Sequence, residues 1–357
     1  MHRRHFLTLL TAASTASFTR GEAPSTRHPL LTYPDEHGVW QPVHTTDDWR
    51  RRRPAIVAAM QEIMGPLPGA TKRCPLDVQI LEETDAGSYV RRRLTYASEP
   101  GSRVPAYLLI PKGALARPDT KATAVLCLHP TDNVNGCKIV VGLGGKENRQ
   151  YAAELAEKGY VTLAPAYPLL ADYQPDWAAL GYVSGTMKAI WDNIRALDLL
   201  DALPFVRPGH YAAIGHSLGG HNSVFTATFD DRIRAVVSSC GLDSFNDYKG
   251  GDITGWSGPR YMPRLAAYKG RNAGIPFDFD EILAALAPRP VLISAPLRDA
   301  NFRHDSVDRI TTAARQVYAL YGAAGALTVE HPDSEHDFPD AIREKAYAFI
   351  AKALVVA

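Results

Sequence analysis

Residues 212 to 222 read AAIGHSLGGHN, a run of small apolar residues that leads into a serine crowded by glycines. A strand ending at this point and a helix starting just after it would place Ser217 at the tip of a sharp turn. Gly215 and Gly219 lack a Cβ, so backbone can approach closely on both sides, as a G-x-S-x-G turn requires. The helix that follows points free N–H groups and its positive dipole end at the same spot. A serine hydroxyl is a weak nucleophile until a base takes its proton and an acid orients that base. In chain order serine, acid, histidine, the downstream candidates are few. His336 lies in HPDSEHDFPD, between a strand-like run and the last helix. Its rival His331 sits closer to the strand and precedes Pro332, which restricts its backbone. Asp299 follows the strand-like run PVLISAP and is the expected acid. Asp243, after the preceding strand, is the runner-up, with Asp305 behind it. The oxyanion of an acyl-transfer intermediate would be held by the N–H of Leu218, next to the nucleophile, and by a second donor. That donor is expected from the loop His129-Pro130-Thr131-Asp132. Pro130 has no N–H, so Thr131 is the choice. His129, His216 and His221 read as supporting or pocket-lining residues.

The elements needed to position these groups are legible as well. After an irregular arm over residues 24–48, RRRRPAIVAAMQEIMGPLPG reads as a helix with Pro54 in its first turn, ended by Gly65-Pro66. Its four arginines read as a solvated face. From Asp77, three short β-like runs suggest antiparallel strands. Strands and helices then alternate to the end, which argues for a mostly parallel sheet with helices on both faces. The alternation breaks between Gly241 and Pro290. An insertion at about 243–289, placed between the sixth and seventh strands, is expected to cross the sheet's carboxyl edge and to close with a short helix around 280–287. It carries Lys249, Arg260, Arg264, Lys269 and Arg271 against Asp252 alone, near Tyr248, Trp256, Tyr261 and Tyr268. Trp256, Tyr261 and Arg260 are candidate substrate contacts for sugars, uronates or aromatic acyl groups. The competing reading is a loop packed on its own aromatics and solvated by its charges.

Composition bounds the function. The 357 residues carry 39 basic and 38 acidic side chains, a net charge of +1. That balance offers no field to attract nucleic acid or an anionic membrane, and no internal apolar run is long enough for a membrane span. The four cysteines form no zinc-like spacing. Cys127 and Cys240 sit in strand-like runs and read as buried small apolar residues; any disulfide pairing stays open. Residues 1–23, with MHRRHFLTLLTAASTASF, have the layout of a bacterial export signal of twin-arginine type, followed by the arm and helix of 24–75 and a catalytic domain over 76–357. The expected location is periplasmic or extracellular.

The turn, acid and histidine, in this order and on these elements, resemble the α/β-hydrolase superfamily over about residues 76 to 352. GHSLGG, LHPTD and the W-R-R-R-R…MGPLPG stretch are similar to its dienelactone-hydrolase and acetyl-xylan-esterase-like branches. Dienelactone hydrolases use a cysteine nucleophile where this chain has Ser217, and many lipases have an HGGG-type loop where it has HPTD. The resemblance therefore implies an α/β-hydrolase fold and ester hydrolysis by a serine esterase, on acetyl, feruloyl or other small esters, without a metal or organic cofactor. A serine peptidase, amidase or thioesterase on the same scaffold, and a catalytically silent binding protein, are the alternatives. Oligomeric state is left open.

Overall fold

The computed structural model describes residues 27–355. The expected export signal falls on residues outside them.

A short hairpin of β1 (Thr32–Pro34) and β2 (Trp40–Pro42) precedes α1 (Thr46–Met64). The helix starts earlier than its composition suggests. Thr45 and Asp48 form a reciprocal capping box, which satisfies the first free amides. Pro54 therefore lies inside α1 rather than in its first turn. The four arginines are not a uniform solvated face either. Arg50 and Arg51 are exposed, but Arg52 is buried against Glu281 and lies 4.9 Å from the Trp40 ring. Arg53 donates to the carbonyls of Ala285 and Thr228. Two of the four thus fasten α1 to the helix that closes the long insertion.

The main sheet has nine strands in the order β11-β10-β9-β8-β6-β7-β5-β4-β3. β3 (Gln79–Asp85), β4 (Tyr89–Glu99) and β5 (Ser102–Pro111) form an antiparallel edge, with β5 antiparallel to β7. β6 (Ala122–Leu128), β7 (Val161–Pro165), β8 (Val206–His216), β9 (Ile233–Ser239), β10 (Val291–Ser294) and β11 (Leu327–Glu330) run parallel. Central strands are buried along almost their whole length, for example Val161–Pro165, because helices cover both faces. Those helices are α2 (Lys112–Ala116), α3 (Tyr151–Glu157), α4 (Gly185–Ala202), α5 (Leu218–Phe229), α6 (Phe279–Ala285), α7 (His304–Leu320) and α8 (Asp340–Val355). One contiguous apolar core runs from Val43 to Leu354 and includes Trp49, Ile56 and Met60 of α1.

The long insertion lies between β9 and β10, the seventh and eighth strands of this sheet. The expected place, after the sixth strand, is one short: three antiparallel strands and the four parallel strands β6 to β9 precede the insertion. Short 3-10 turns make up most of the insertion. Tyr248, Trp256 and Tyr268 are buried while Lys249, Arg264, Lys269 and Arg271 are exposed, so the insertion packs on aromatic side chains and leaves these charges in solvent. The insertion closes with α6, whose N-cap Asp278 and Glu281 form another capping box. No helix among the described residues is long and apolar enough to cross a membrane.

Candidate active site

β8 delivers Ser217 directly into α5. Ser217 has φ +54° and ψ −120°, a region a non-glycine residue occupies at a cost of about 1–3 kcal/mol. The surroundings hold it there. Its N–H donates to Ser239 O at 2.7 Å, and its carbonyl accepts from His221 N at 3.0 Å. The flanking glycines are needed for close approach. A Cβ on Gly215 would lie 2.1 Å from the Gly219 carbonyl carbon, and one on Gly219 would lie 1.9 Å from the Leu128 carbonyl oxygen. The second contact presses the start of α5 against the end of β6, so the loop carrying Thr131 is brought beside the serine.

His336 and Asp299 meet on the loops after β11 and β10. His336 Nδ1 lies 2.8 Å from Asp299 Oδ2. The other carboxylate oxygen of Asp299 accepts from the N–H groups of Asn301 at 2.8 Å and Phe302 at 3.1 Å. The Asp299 side chain is 1% exposed and that of His336 30%. Burial alone would raise the Asp299 pKa, but the hydrogen bond and charge of His336, with the two backbone donors, lower it below the usual carboxylate value. Asp299 is thus an anion aimed at the Nδ1 side of the ring, which leaves Nε2 for chemistry. His336 and Ser217 line one cavity of about 620 Å³, together with Thr131.

The alternative acids and base lie elsewhere in the bonding pattern. Asp243 is buried, accepts from Arg303 N at 3.2 Å and is pushed up to about 6 by burial. Asp305 is ion-paired with Arg303 and Arg309 in the first turn of α7. His331 bridges Ala295 O at 2.7 Å and Asp308 at 3.0 Å.

The flanking histidines divide. His216 lines the cavity beside His336, with ring centroids 4.9 Å apart, and its Nδ1 lies 3.1 Å from Ser239 Oγ. His129 and His221 line neither of the two spaces beside Ser217. His129 is buried, with Nδ1 2.7 Å from Pro130 O and Nε2 accepting from Tyr167 N at 2.8 Å, so both ring nitrogens are used to brace the loop. His221 is fully buried and stacked on Phe225 and Trp256, with centroids 3.9 and 4.9 Å away. Its inward face on α5, rather than its place beside the serine, decides its role.

Burial lowers the His221 pKa to about 3. The folded protein therefore resists a proton that the unfolded chain accepts near 6.5. Stability attributable to this group is whole above pH 6.5 and falls as pH drops towards 3. A His221→Phe variant keeps the stacked ring and removes that liability. Denaturation at several pH values should show it gaining on the wild type by about 1.4 kcal/mol per pH unit below about 6. A pH-independent difference would contradict the neutral, desolvated state of His221.

From the insertion, Trp256 and Tyr261 reach the site. With Leu218, Tyr248 and Phe302 they wall a recess of about 80 Å³ on another side of Ser217. Tyr261 Oη lies 3.1 Å from Thr131 Oγ1. Arg260 instead bonds Asn133 at 2.9 Å and lines neither space, so its side chain ties the insertion to the Thr131 loop.

One group escapes a reading of the sequence. Arg149 is buried, pairs with Asp337 at 2.5 Å and donates to His336 O at 3.3 Å, which fixes the histidine loop from behind. Cys240 lies beside Asp299 and His336, their ligand atoms all within 4.8 Å of one another. Burial and the neighbouring Asp299 charge raise its thiol well above the usual value, which favours the protonated thiol. All four cysteines are unpaired.

The fold matches a known architecture. The structure superposes on a glucuronoyl esterase from Solibacter usitatus with a TM-score of 0.73 and 18% identity, covering 93% of this chain and 99% of that one. The chain has the α/β-hydrolase fold. A Bacteroides fragilis protein described as a "putative acetyl xylan esterase" superposes with a TM-score of 0.62 and 19% identity over 86% of this chain and 79% of that one. In sequence, a Bacillus subtilis (strain 168) protein named "Putative hydrolase YtaP" is 27% identical over 304 residues, 82% of this chain and 96% of that protein. No protein-family model matches the chain.

Proposed function

We propose that the protein is a serine carboxylic ester hydrolase that works through an acyl-enzyme, exported and acting on carbohydrate-linked or other small esters. The observation that carries this reading is the Asp299–His336 pair, 2.8 Å apart, with His336 on the same cavity as a serine held at positive φ. Ser217 Oγ attacks the ester carbonyl as His336 Nε2 takes its proton. Asp299 accepts the Nδ1 proton, holds the tautomer and stabilises the imidazolium. The oxyanion sits between the N–H groups of Leu218 and Thr131. His336 then hands its proton to the departing alcohol, and water repeats the cycle on the acyl-enzyme. The names of the structural neighbours, glucuronoyl and acetyl xylan esterases, support the ester class and the carbohydrate setting.

A panel of nitrophenyl, acetyl-xylan, feruloyl and glucuronoyl esters, with anilides and thioesters beside them, tests this reading. Turnover of oxygen esters that vanishes in Ser217→Ala is expected. Faster turnover of anilides or thioesters would favour the amidase or thioesterase alternative. Inertness to all of them and to a fluorophosphonate probe would leave only a silent binding protein.

A further inference from the structure

We propose that the two spaces beside Ser217 divide the ester between them, the narrow aromatic recess taking the acyl group and the wide polar cavity the alcohol, so that the enzyme is selective for acetyl-sized acyl groups on polar, sugar-like alcohols. This rests on Ser217 and His336 acting as nucleophile and base.

The assignment follows from where the proton must go. A tetrahedral intermediate on Ser217 carries three further substituents: the oxyanion, the leaving oxygen and the acyl chain. The leaving oxygen must face His336, because that ring returns the proton. His336 lines the 620 Å³ cavity and is absent from the walls of the recess. The alcohol therefore occupies the large cavity. The oxyanion points to the backbone of Leu218 and Thr131, residues that also line the recess, so the acyl chain shares that side of Ser217 and extends between Tyr248, Trp256, Tyr261 and Phe302.

Size then selects the acyl group. The recess holds about 80 Å³. An engineered apolar cavity of roughly 150 Å³ accommodates benzene, so half that space suits the methyl of an acetyl group and not a feruloyl or uronoyl ring. The walls resist widening. Trp256 packs on Tyr248 with centroids 5.4 Å apart, on Phe302 at 5.8 Å and on Tyr261 at 6.3 Å. Tyr248, Trp256 and Phe302 are buried, and the Tyr261 hydroxyl is tied to Thr131. The alcohol side differs in character. Asp132, Lys146, Arg149, Arg298, Asp333 and Glu335 line it, charges of both signs suited to the hydroxyls of a sugar rather than to an aliphatic chain.

The test is kcat/KM for nitrophenyl acetate, butyrate and octanoate, for methyl ferulate and for acetylated xylo-oligosaccharides, in the full chain and three variants. The wild type should lose about tenfold or more from acetate to butyrate, the scale at which a closed pocket rejects added methylenes. Tyr261→Ala opens the recess and should raise the octanoate-to-acetate ratio by about tenfold or more. Tyr261→Phe removes the hydroxyl but keeps the ring, and should keep the wild-type ratio. Phe302→Val opens the opposite wall and should shift the ratio in the same direction as Tyr261→Ala. A wild type that turns over octanoate or ferulate as fast as acetate overturns the division while leaving the esterase reading intact. Unchanged ratios in both enlarged variants would also overturn it. Inertness to every ester and to a fluorophosphonate would reject the esterase reading itself, and the division with it.

Discussion

Replacing Ser217 by alanine is expected to lower kcat on the best ester by about 10⁶, because nucleophile and base act as one unit and neither works alone. The protein should remain folded. The alanine meets the same backbone strain at φ +54°, and the hydrogen bonds that hold the turn, from Ser217 N to Ser239 O and from His221 N to Ser217 O, involve only backbone atoms. A circular-dichroism melt close to the wild type, alongside the lost turnover, separates chemistry from folding. Retention of even a hundredth of the wild-type rate would mean that another group attacks the carbonyl.

Asp299→Asn should cost about 10⁴ in kcat. The direction comes from the two backbone donors on its far oxygen. The N–H groups of Asn301 and Phe302 demand an acceptor at that position, so the carbonyl of an introduced asparagine would sit there. Its amino group would then face His336 Nδ1 and donate to it. That forces the ring proton onto Nε2, the nitrogen that should accept the serine proton. The expected loss is thus in kcat, with KM little changed. Asp243→Asn is the matched control. Asp243 accepts from Arg303 N, with no histidine among its hydrogen-bond partners in the described residues, and burial already pushes its pKa up to about 6. Its amide variant should keep kcat within a few-fold, since loss of a group outside the reacting set leaves transition-state binding untouched. Equal losses in the two variants would argue for a purely structural role of both carboxylates.

How much of this was readable in the sequence depends on how local each determinant is. The turn around Ser217 declares itself because its requirements, glycines at 215 and 219 between an apolar strand and an apolar helix, lie within a few residues. The candidates Asp299 and His336 emerge from chain order, since each follows a strand and so lands on one edge of a parallel sheet. Groups that depend on distant partners stay hidden. Arg52 looks like a solvated helix residue until Glu281, 229 positions away, is folded against it. Arg149 and Asp337 are 188 residues apart and neither sits in a motif. His221 reads as a supporting or pocket-lining residue, but the partners towards which α5 turns it, Phe225 and Trp256, are set by packing that the sequence does not display. Pro54 misleads because a proline preference for first turns competes with the upstream capping box of Thr45 and Asp48 and loses. The division of the site into two spaces depends on the insertion's tertiary packing, which no period in residues 243–289 encodes.

The central claim is that Ser217 is the residue acylated during turnover. Incubation with a fluorophosphonate, digestion and mass spectrometry test it most directly. One equivalent of adduct on the peptide containing Ser217, formed in step with loss of esterase activity and suppressed in Asp299→Asn, is the expected result. An adduct on a different residue, or full esterase activity surviving saturation labelling of Ser217, would contradict it.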